Sequence, residues 1–258
     1  MAKPVKRSSK RAAAGSDAAD ASVELSEQDG VRFLHLGSKL VQSAMRLSRP
    51  HDLEIAYTRC MMAFLLFNPA PKDVLMVGLG GGSLAKFIVR HLPETRLTVV
   101  EISWQVVAAA RSFFCLPAEG ERFRIVVADG VEYVANLAPS CDLMLCDGYE
   151  DGALPKALAS QGFYDAAAAA LRARGMMVTN LLGRDRRLKG YIERIDGSFK
   201  GGLLRLEDEE DGNLIVIAFR KPAARRNAKW WQRRAAELED RYGLPFIRYA
   251  TRLLEQIE

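Results

Sequence analysis

The sequence has little of what a metal site, a disulfide framework or a membrane span requires. Its cysteines and histidines are few and follow no metal-ligand or redox spacing: Cys60, Cys115, Cys141 and Cys146, and His35, His51 and His91. We therefore expect buried free thiols, no metal ion and no Ser-His-Asp triad. No apolar run reaches the roughly 18 residues of a membrane helix, and the start lacks the apolar segment of a secretory signal. These absences predict a cytoplasmic protein without a membrane partner.

Positive charge is concentrated at the two ends of the chain, although the net charge is only +5. Residues 1–22 are rich in Lys, Arg, Ala and Ser without apolar periodicity, so we expect a disordered basic tail. Residues 221–258 carry a second basic cluster beside Trp230 and Trp231 and predict a basic helical extension. Such segments can contact nucleic acid, but charge runs usually mark solvated surface, which is the interpretation we favour. The tryptophans are then expected to pack on the sheet.

Between these ends, apolar segments of strand length and helix length alternate, which is typical of an α/β protein. The chain has 258 residues, 49% of them hydrophobic, which is enough for one large α/β domain. Residues 23–50 predict a small N-terminal β-hairpin with strands over 31–36 and 40–45. Residues 51–220 predict a mostly parallel seven-stranded sheet of the Rossmann-like, class I methyltransferase type, ending in an antiparallel pair of strands. Its predicted elements include a helix over 53–67, a helix over 161–173 and a strand over 175–181.

A glycine-rich turn follows the first predicted strand of this sheet, and a helix follows the turn. The turn contains four glycines, namely Gly78, Gly80, Gly81 and Gly82. Glycines let the backbone approach a nucleotide closely, and the helix N-terminus offers unpaired N–H groups to a polar ligand. Glu101 closes the next strand, 19 residues after Gly82, where an acidic side chain can accept both hydroxyls of a ribose. This pattern predicts a nucleoside-containing cofactor.

Two further strands of the sheet end in acidic residues. Asp129 follows the third strand and Asp147 follows the fourth. The carboxyl ends of parallel strands meet at one edge, where ligands of open sheets bind. We expect Asp129 to accept from an adenine amino group, with a helix N-cap as the alternative. The acidic loop 147–152 is predicted to attract a cationic amine and to take its proton, with a plain surface loop as the alternative.

This arrangement of turn and strand ends resembles the spermidine synthase (polyamine aminopropyltransferase) family over about residues 29–220. The resemblance implies a methyltransferase-like fold and a homodimer. It places the family's ribose-binding acid on Glu101 and its adenine-binding Asp-Gly pair on Asp129 and Gly130. The family's catalytic loop falls on the segment from Asp147 to Glu150. Its hairpin glutamine matches Gln42, and the tyrosine of its Tyr-His-Glu motif matches Tyr57.

The sequence also departs from the family pattern at the amine-binding positions. Gly81 stands where the family has an aspartate that helps to hold the aminopropyl amine. The His-Glu pair after the tyrosine is replaced by Thr58 and Arg59. A cation near a polyamine site is expected to repel the substrate. Nucleoside binding therefore carries over from the resemblance better than polyamine specificity does.

These observations predict a transferase that uses decarboxylated S-adenosylmethionine or S-adenosylmethionine to alkylate an amine acceptor. Asp147 is the candidate base, and Glu150 and Tyr57 are expected to orient the acceptor. The residues expected to bind the cofactor are Gln42, Gly78, Gly80, Gly81, Gly82, Glu101, Asp129 and Gly130. Two alternatives stay open: an S-adenosylmethionine-dependent methyltransferase with an unknown acceptor, and a non-catalytic nucleoside-binding homologue.

Overall fold

The computed structural model describes residues 23–37, 40–149, 152–224 and 226–256, so the predicted disordered tail lies outside the described residues. The strands are β1 Val23–Gln28, β2 Val31–Leu36, β3 Val41–Arg46, β4 Asp73–Val77, β5 Arg96–Glu101, β6 Phe123–Val127, β7 Cys141–Cys146, β8 Leu171–Leu182, β9 Leu203–Glu207 and β10 Asn213–Phe219. The helices are α1 Ala56–Met61, α2 Ser83–His91, α3 Trp104–Phe113, α4 Gly130–Ala135, α5 Gln161–Ala170, α6 Leu188–Ser198, α7 Ala228–Tyr242 and α8 Phe246–Leu254. A 3-10 helix, Met62–Leu66, continues α1.

The main sheet has seven strands in the order β6-β5-β4-β7-β8-β10-β9. Strands β4 to β8 pair in parallel, whereas β10 pairs antiparallel with both β8 and β9. This topology confirms the predicted mostly parallel sheet with an antiparallel end. In β4, Val74 and Met76 face one hydrophobic core, and Leu75 and Val77 face the other. Because side chains alternate across a strand, such a continuous apolar run requires cover on both faces.

Helices supply that cover on both faces of the sheet. Residues of α1, α2, α3, α7, α8 and the 3-10 helix belong to the first core. Residues of α4, α5 and α6 belong to the second core. A ligand can therefore approach the sheet at the carboxyl ends of the parallel strands, which is where open sheets bind ligands.

The N-terminal segment is a three-stranded antiparallel sheet in the order β1-β2-β3, and not a hairpin alone. The predicted hairpin corresponds to β2 and β3. Strand β1 joins β2 through a turn in which Asp29 and Gly30 have φ angles of 52° and 73°. Positive φ at both central residues is the geometry of a tight hairpin turn, which Asp-Gly favours. The predicted hairpin did not include β1, because only Val23 and Leu25 of this strand are apolar and every residue after Val23 is exposed.

Three predicted elements have different bounds in the structure. The helix expected over 53–67 is a short α1 followed by the 3-10 helix, a tighter form that is common at helix ends. The helix expected over 161–173 ends at Ala170, and the strand expected over 175–181 begins four residues earlier, at Leu171. Leu171 is fully buried and pairs with Cys141 of β7. Sheet pairing therefore outweighs the helical propensity of this segment.

The C-terminal helices α7 and α8 pack on the first core. Trp231 is buried, and its ring lies edge-to-face against Phe67 at a centroid distance of 5.1 Å. Trp230 lies next to it and carries the Arg226 guanidinium over its ring at 5.4 Å. Arg234 reaches back to donate to the Leu65 carbonyl at 3.3 Å. Among the described residues, no helix combines the length and apolar character needed to cross a membrane.

Trp231→Ala is expected to lower the free energy of unfolding by about 3–5 kcal/mol, because it leaves a cavity in the core. Urea denaturation followed by circular dichroism measures this change. The matched control is Trp104→Ala, whose side chain is 64% exposed; its effect is expected to stay within about 0.5 kcal/mol. A loss for Trp231→Ala as small as that of the control would show that this side chain does not stabilise the domain.

Candidate active site

A cavity of about 860 Å³ lies at the carboxyl edge of the sheet, with walls from the ends of β4, β5, β7 and β8. The N-terminal sheet, α1 and the β9–β10 turn complete it. Six carboxylates line it, from Glu54, Glu101, Asp129, Asp147, Glu210 and Asp211. Among the described residues, Arg184 is the only lysine or arginine in the wall. The cavity therefore has the electrostatic character of a site for a cationic ligand.

The glycine turn closes against the end of β7. A Cβ atom on Gly78 would lie 2.4 Å from the carbonyl oxygen of Asp147, and the φ angle of Gly78 is 92°. Gly80, with a φ angle of 53°, lines the cavity next to Ser43. Only glycine combines this left-handed backbone with such close approach of another chain segment. The turn therefore brings its own backbone, and not side chains, to the cavity.

Gly81 and Gly82 were expected to contact the cofactor, but neither lines the cavity. The Gly81 amide donates to Ser43 Oγ at 2.8 Å, and a Cβ atom there would lie 2.8 Å from the Phe114 ring. A Cβ atom on Gly82 would lie 2.5 Å from the Leu116 side chain. Both glycines are required by packing behind the turn.

Glu101 holds the glycine turn in place. Its Oε2 atom accepts from the Leu79 amide at 2.8 Å, and its Oε1 atom accepts from the Ser103 amide at 2.9 Å. Burial raises the pKa of Glu101, and the backbone N–H groups oppose that shift. The carboxylate is buried and lines the cavity. Because a carboxylate has about four lone-pair sites, it can accept from a ribose while it holds the turn.

Asp129 and Gly130 lie at the cavity wall where β6 leads into α4. Asp129 Oδ1 accepts from the amides of Val131 and Glu132 at 2.7 and 3.4 Å, so Asp129 is the N-cap of α4. The other carboxylate oxygen makes no hydrogen bond among those described. A Cβ atom on Gly130 would lie 2.6 Å from the Val77 side chain. Asp129 is therefore a helix N-cap, as the alternative interpretation predicted, and its second carboxylate oxygen can still accept from a ligand in the cavity.

Asp147 is held by side chains from two other elements of the fold. Tyr57 donates its hydroxyl to Oδ2 at 3.0 Å, and the Asn180 amide donates to Oδ1 at 3.0 Å. Burial raises the pKa of Asp147 above its usual value, and the two hydrogen bonds oppose that shift. Burial and the adjacent Asp147 also raise the pKa of Tyr57, so Tyr57 stays protonated and acts as a donor. A carboxylate in this state can accept a proton from a bound amine.

Asn180 is a site residue that the sequence analysis did not identify. Tyr149 fixes its backbone, since the Tyr149 hydroxyl donates to the Asn180 carbonyl at 3.1 Å and accepts from the Leu182 amide at 2.9 Å. The side-chain Oδ1 atom of Asn180 is buried without a hydrogen-bond partner, although Asn180 lines the cavity. A buried unpaired acceptor costs free energy unless a ligand donates to it. The only feature of the sequence that could have pointed to Asn180 is a pair of polar residues, Thr179 and Asn180, in an apolar strand.

The remaining predicted residues differ in how far the structure describes them. Gln42 lines the cavity from β3. Glu150 lies outside the described residues, so its role stays a prediction. Thr58 turns its hydroxyl to the Ile55 carbonyl at 2.6 Å and is buried.

Arg59 does not face the cavity, which corrects the expectation that it repels a cationic substrate. Its guanidinium donates to the carbonyls of Leu53 and Glu54 at 3.0 and 2.7 Å and to Glu210 Oε1 at 2.7 Å. The charge is therefore compensated by a carboxylate of the cavity wall. Within the described ranges, no three side chains of His, Cys, Asp and Glu are arranged to hold a metal ion.

Known proteins share both the fold and the length of this chain. A family model for the spermine/spermidine synthase domain matches residues 54–184. A polyamine aminopropyltransferase of Chromobacterium violaceum is 43% identical over 231 residues, which cover 90% of this chain and 88% of that protein. A probable spermidine synthase structure from Corynebacterium glutamicum aligns with a TM-score of 0.71 at 19% identity, over 90% of this chain and 91% of that chain. Human methyltransferase-like protein 13, solved in complex with SAH, gives 0.66 at 27% identity, over 73% of this chain and 93% of that chain.

The sheet order and the cavity at its carboxyl edge define a protein of the class I methyltransferase-like fold. Polar groups of that cavity lie at the strand ends where the sequence predicts the nucleoside and amine sites. Together with the sequence identity, they show that the chain belongs to the spermine/spermidine synthase family.

Asp147→Asn is expected to raise the melting temperature at pH 7–8. Because burial raises the pKa of Asp147, ionisation costs the folded state free energy that the unfolded chain does not lose. The stability contributed by this group is complete below the unfolded pKa of about 4 and is lost as pH rises through the folded pKa. The gain in the variant should therefore be small near pH 4 and grow towards pH 8 in thermal scans. A gain that is independent of pH, or one shared by the exposed Asp240→Asn control, would contradict this origin.

Proposed function

We propose that this transferase moves an aminopropyl group from decarboxylated S-adenosylmethionine to an amine bound beside Asp147. The observation that carries the proposal is the pair formed by Asp147 and Asn180. A half-buried carboxylate and a buried, unpaired amide oxygen lie together in one cavity. Two acceptors without a cation between them match an amine nitrogen, which offers several N–H donors.

The nucleoside is assigned to the other half of the cavity wall. Glu101 would accept from the ribose hydroxyls, and the free oxygen of Asp129 would accept from the adenine amino group. Gly78, Gly80 and Gly130 would border the nucleoside with backbone alone, and Gln42 would border it from β3. The cofactor's sulfonium is favoured by the carboxylates of the wall.

The charge of the cavity favours the decarboxylated cofactor. Six carboxylates and one arginine line the described wall. S-adenosylmethionine carries a carboxylate beside its ammonium and sulfonium groups, so its net positive charge is smaller than that of the decarboxylated form. The acidic wall therefore attracts the decarboxylated cofactor more strongly. Gly81 gives no argument in either direction, because it does not line the cavity.

The reaction follows from this placement as a single displacement. The lone pair of the neutral acceptor nitrogen attacks the propyl carbon next to the sulfonium, and a carbon–nitrogen bond forms. The carbon–sulfur bond breaks and its electron pair stays on sulfur, which leaves as a neutral thioether. The nitrogen then loses a proton to Asp147, whose raised pKa suits that role. Alignment of nitrogen, carbon and sulfur by the two halves of the cavity supplies much of the acceleration.

Tyr57 and Glu150 are assigned to the acceptor. The Tyr57 hydroxyl donates to Asp147 Oδ2 and would thereby orient the carboxylate for the amine. Glu150 follows in the same loop and would add negative charge at the acceptor. The family resemblance further leads us to propose a homodimer that acts in the cytoplasm.

Methyl transfer to an amine is the second candidate. It is favoured by the likeness to human methyltransferase-like protein 13, whose structure contains SAH. In that reaction S-adenosylmethionine would bind in the same nucleoside half of the cavity. The product distinguishes the two reactions, since mass spectrometry reports either an aminopropyl or a methyl addition.

Asp147→Asn is expected to lower kcat for aminopropyl transfer by about 100-fold or more, because the variant can neither take the proton nor bind the amine as an anion. Steady-state kinetics with decarboxylated S-adenosylmethionine and 1,4-diaminobutane measure the loss. The control is Asp240→Asn, an exposed carboxylate on α7, whose kinetics should match the parent chain. An unchanged rate in Asp147→Asn would exclude Asp147 as the base.

Decarboxylated S-adenosylmethionine is expected to raise the melting temperature more than S-adenosylmethionine at equal concentration. Ligands that bind only the folded state stabilise it by about 2.7 kcal/mol at 100 times their Kd. Glu101→Gln should abolish the shift with both compounds, since the amide cannot accept at every position that the carboxylate serves. A larger shift with S-adenosylmethionine would favour methyl transfer, and no shift with either would favour a protein that does not use a sulfonium nucleoside.

A further inference from the structure

Strand β7 separates from β8 at the point where the sheet opens into the cavity. The two strands pair in parallel as far as Cys146, whose partner on β8 is Thr179. On its other side the chain stays with β4 for one more residue, since the Asp147 amide donates to the Val77 carbonyl at 2.9 Å. The chain that follows β7 is therefore still held by β4 after it has left β8.

A longer β7 would form one further pair of hydrogen bonds with β8. In the same register, residue 148 would lie opposite Leu181, two residues beyond the last pair. In a parallel ladder, a residue donates to the carbonyl before its partner and accepts from the amide after it. The two groups of β8 that such a residue would bind are the Asn180 carbonyl and the Leu182 amide.

The Tyr149 hydroxyl binds both of these groups in place of a strand. It donates to the Asn180 carbonyl at 3.1 Å and accepts from the Leu182 amide at 2.9 Å. Burial, followed by the charge of Asp147, raises the pKa of Tyr149, so the hydroxyl stays protonated and can donate. One side chain thus completes the hydrogen bonding of the β8 backbone where β7 no longer does so.

The cavity extends into the space that a longer β7 would fill. Asp147 and Tyr149 line it from the loop, and Asn180 and Leu182 line it from β8. The Asn180 amide donates to Asp147 at 3.0 Å, and its Oδ1 atom has no hydrogen-bond partner in the part of the chain that the structure describes. The two hydrogen bonds of Tyr149 therefore fix the backbone from which the Asn180 side chain reaches Asp147.

We propose that Tyr149 is a positioning residue, which takes the place of the next β7 residue and thereby holds Asn180 against Asp147. The inference rests on the proposed function for the identity of the amine that binds there. The hydroxyl acts on that amine only through Asn180, because both of its hydrogen bonds are made with the backbone of β8.

The effect of Tyr149 should reach the Asp147 carboxylate through Asn180. Two side chains lower the pKa of Asp147 against the effect of burial, the Asn180 amide and the Tyr57 hydroxyl. If the Asn180 backbone is no longer fixed, its hydrogen bond to Asp147 weakens and the pKa of the carboxyl rises further. Tyr57 comes from α1 and should continue to donate.

Tyr149→Phe keeps the ring and removes both hydrogen bonds. The pKa of Asp147 is expected to rise by about one pH unit, as the loss of a hydrogen bond to a charged group allows. A ¹³C carboxyl titration of the full chain without ligand measures it, and Asp147→Asn assigns the resonance. In steady-state kinetics, KM for 1,4-diaminobutane should rise about tenfold, while kcat above the new pKa stays within about threefold.

An Asn180→Ala background separates action through Asn180 from direct action. Asn180→Ala alone should raise the pKa of Asp147 about as much as Tyr149→Phe does. Adding Tyr149→Phe to it should cause no further rise, because the residue through which Tyr149 acts is gone. Additive rises in the double variant, or an unchanged pKa in Tyr149→Phe, would overturn the positioning role.

The matched control is Tyr191→Phe. Tyr191 is also a buried tyrosine, but its hydroxyl donates to Asp185 at 3.2 Å and it does not line the active-site cavity. The pKa of Asp147 should be the same in this variant as in the parent chain. An equal rise in Tyr191→Phe would show that the loss of any buried hydroxyl loosens the site, which contradicts a specific role for Tyr149.

The outcomes separate this inference from the proposed function. If the pKa of Asp147 depends on Tyr149 through Asn180, but mass spectrometry finds no aminopropyl product with the parent chain, the positioning role stands and the proposed reaction fails. If the product forms and the pKa of Asp147 does not depend on Tyr149, the reaction stands and the positioning role fails.

Discussion

The site depends on one half-buried carboxylate, that of Asp147, which the protein holds by hydrogen bonds at the cavity wall. Three parts of the fold contribute to this: α1 brings the Tyr57 hydroxyl, β8 brings the Asn180 amide, and the glycine turn closes against the Asp147 backbone. A buried carboxylate lowers the stability of the folded state at neutral pH, whereas the same burial gives it the proton affinity that an acceptor amine requires. Stability and activity therefore make opposite demands on this residue.

Local ion pairs control which carboxylates act on a ligand. Arg46 and Arg59 each neutralise one acidic group of the wall from outside the cavity, so they organise the wall without entering it. The negative charge that remains is concentrated at positions held by backbone and hydroxyl donors. Recognition of a cation thus depends on the acidity of the cavity and also on which of its carboxylates are already paired with arginines of the protein.

The sheet, the alternation of strands and helices, and the carboxylates at the strand ends could be predicted from the sequence. Continuous apolar runs and glycine turns are local patterns, so they can be recognised without the structure. Asn180 could not be found in that way, since its role arises only when β8 pairs beside β7. Strand β1 was missed because it is short and exposed and has only two apolar residues. The role of Arg59 was misjudged because sequence proximity to Tyr57 does not determine the direction in which a side chain points.

The packing of Gly81 links the glycine turn to two distant parts of the chain. A side chain there would collide with the buried Phe114 ring and would crowd Ser43 of the N-terminal sheet, which accepts from the Gly81 amide. A larger residue at position 81 would therefore fit only if Phe114 and Ser43 also moved, so the effect of a substitution in the turn depends on α3 and on β3.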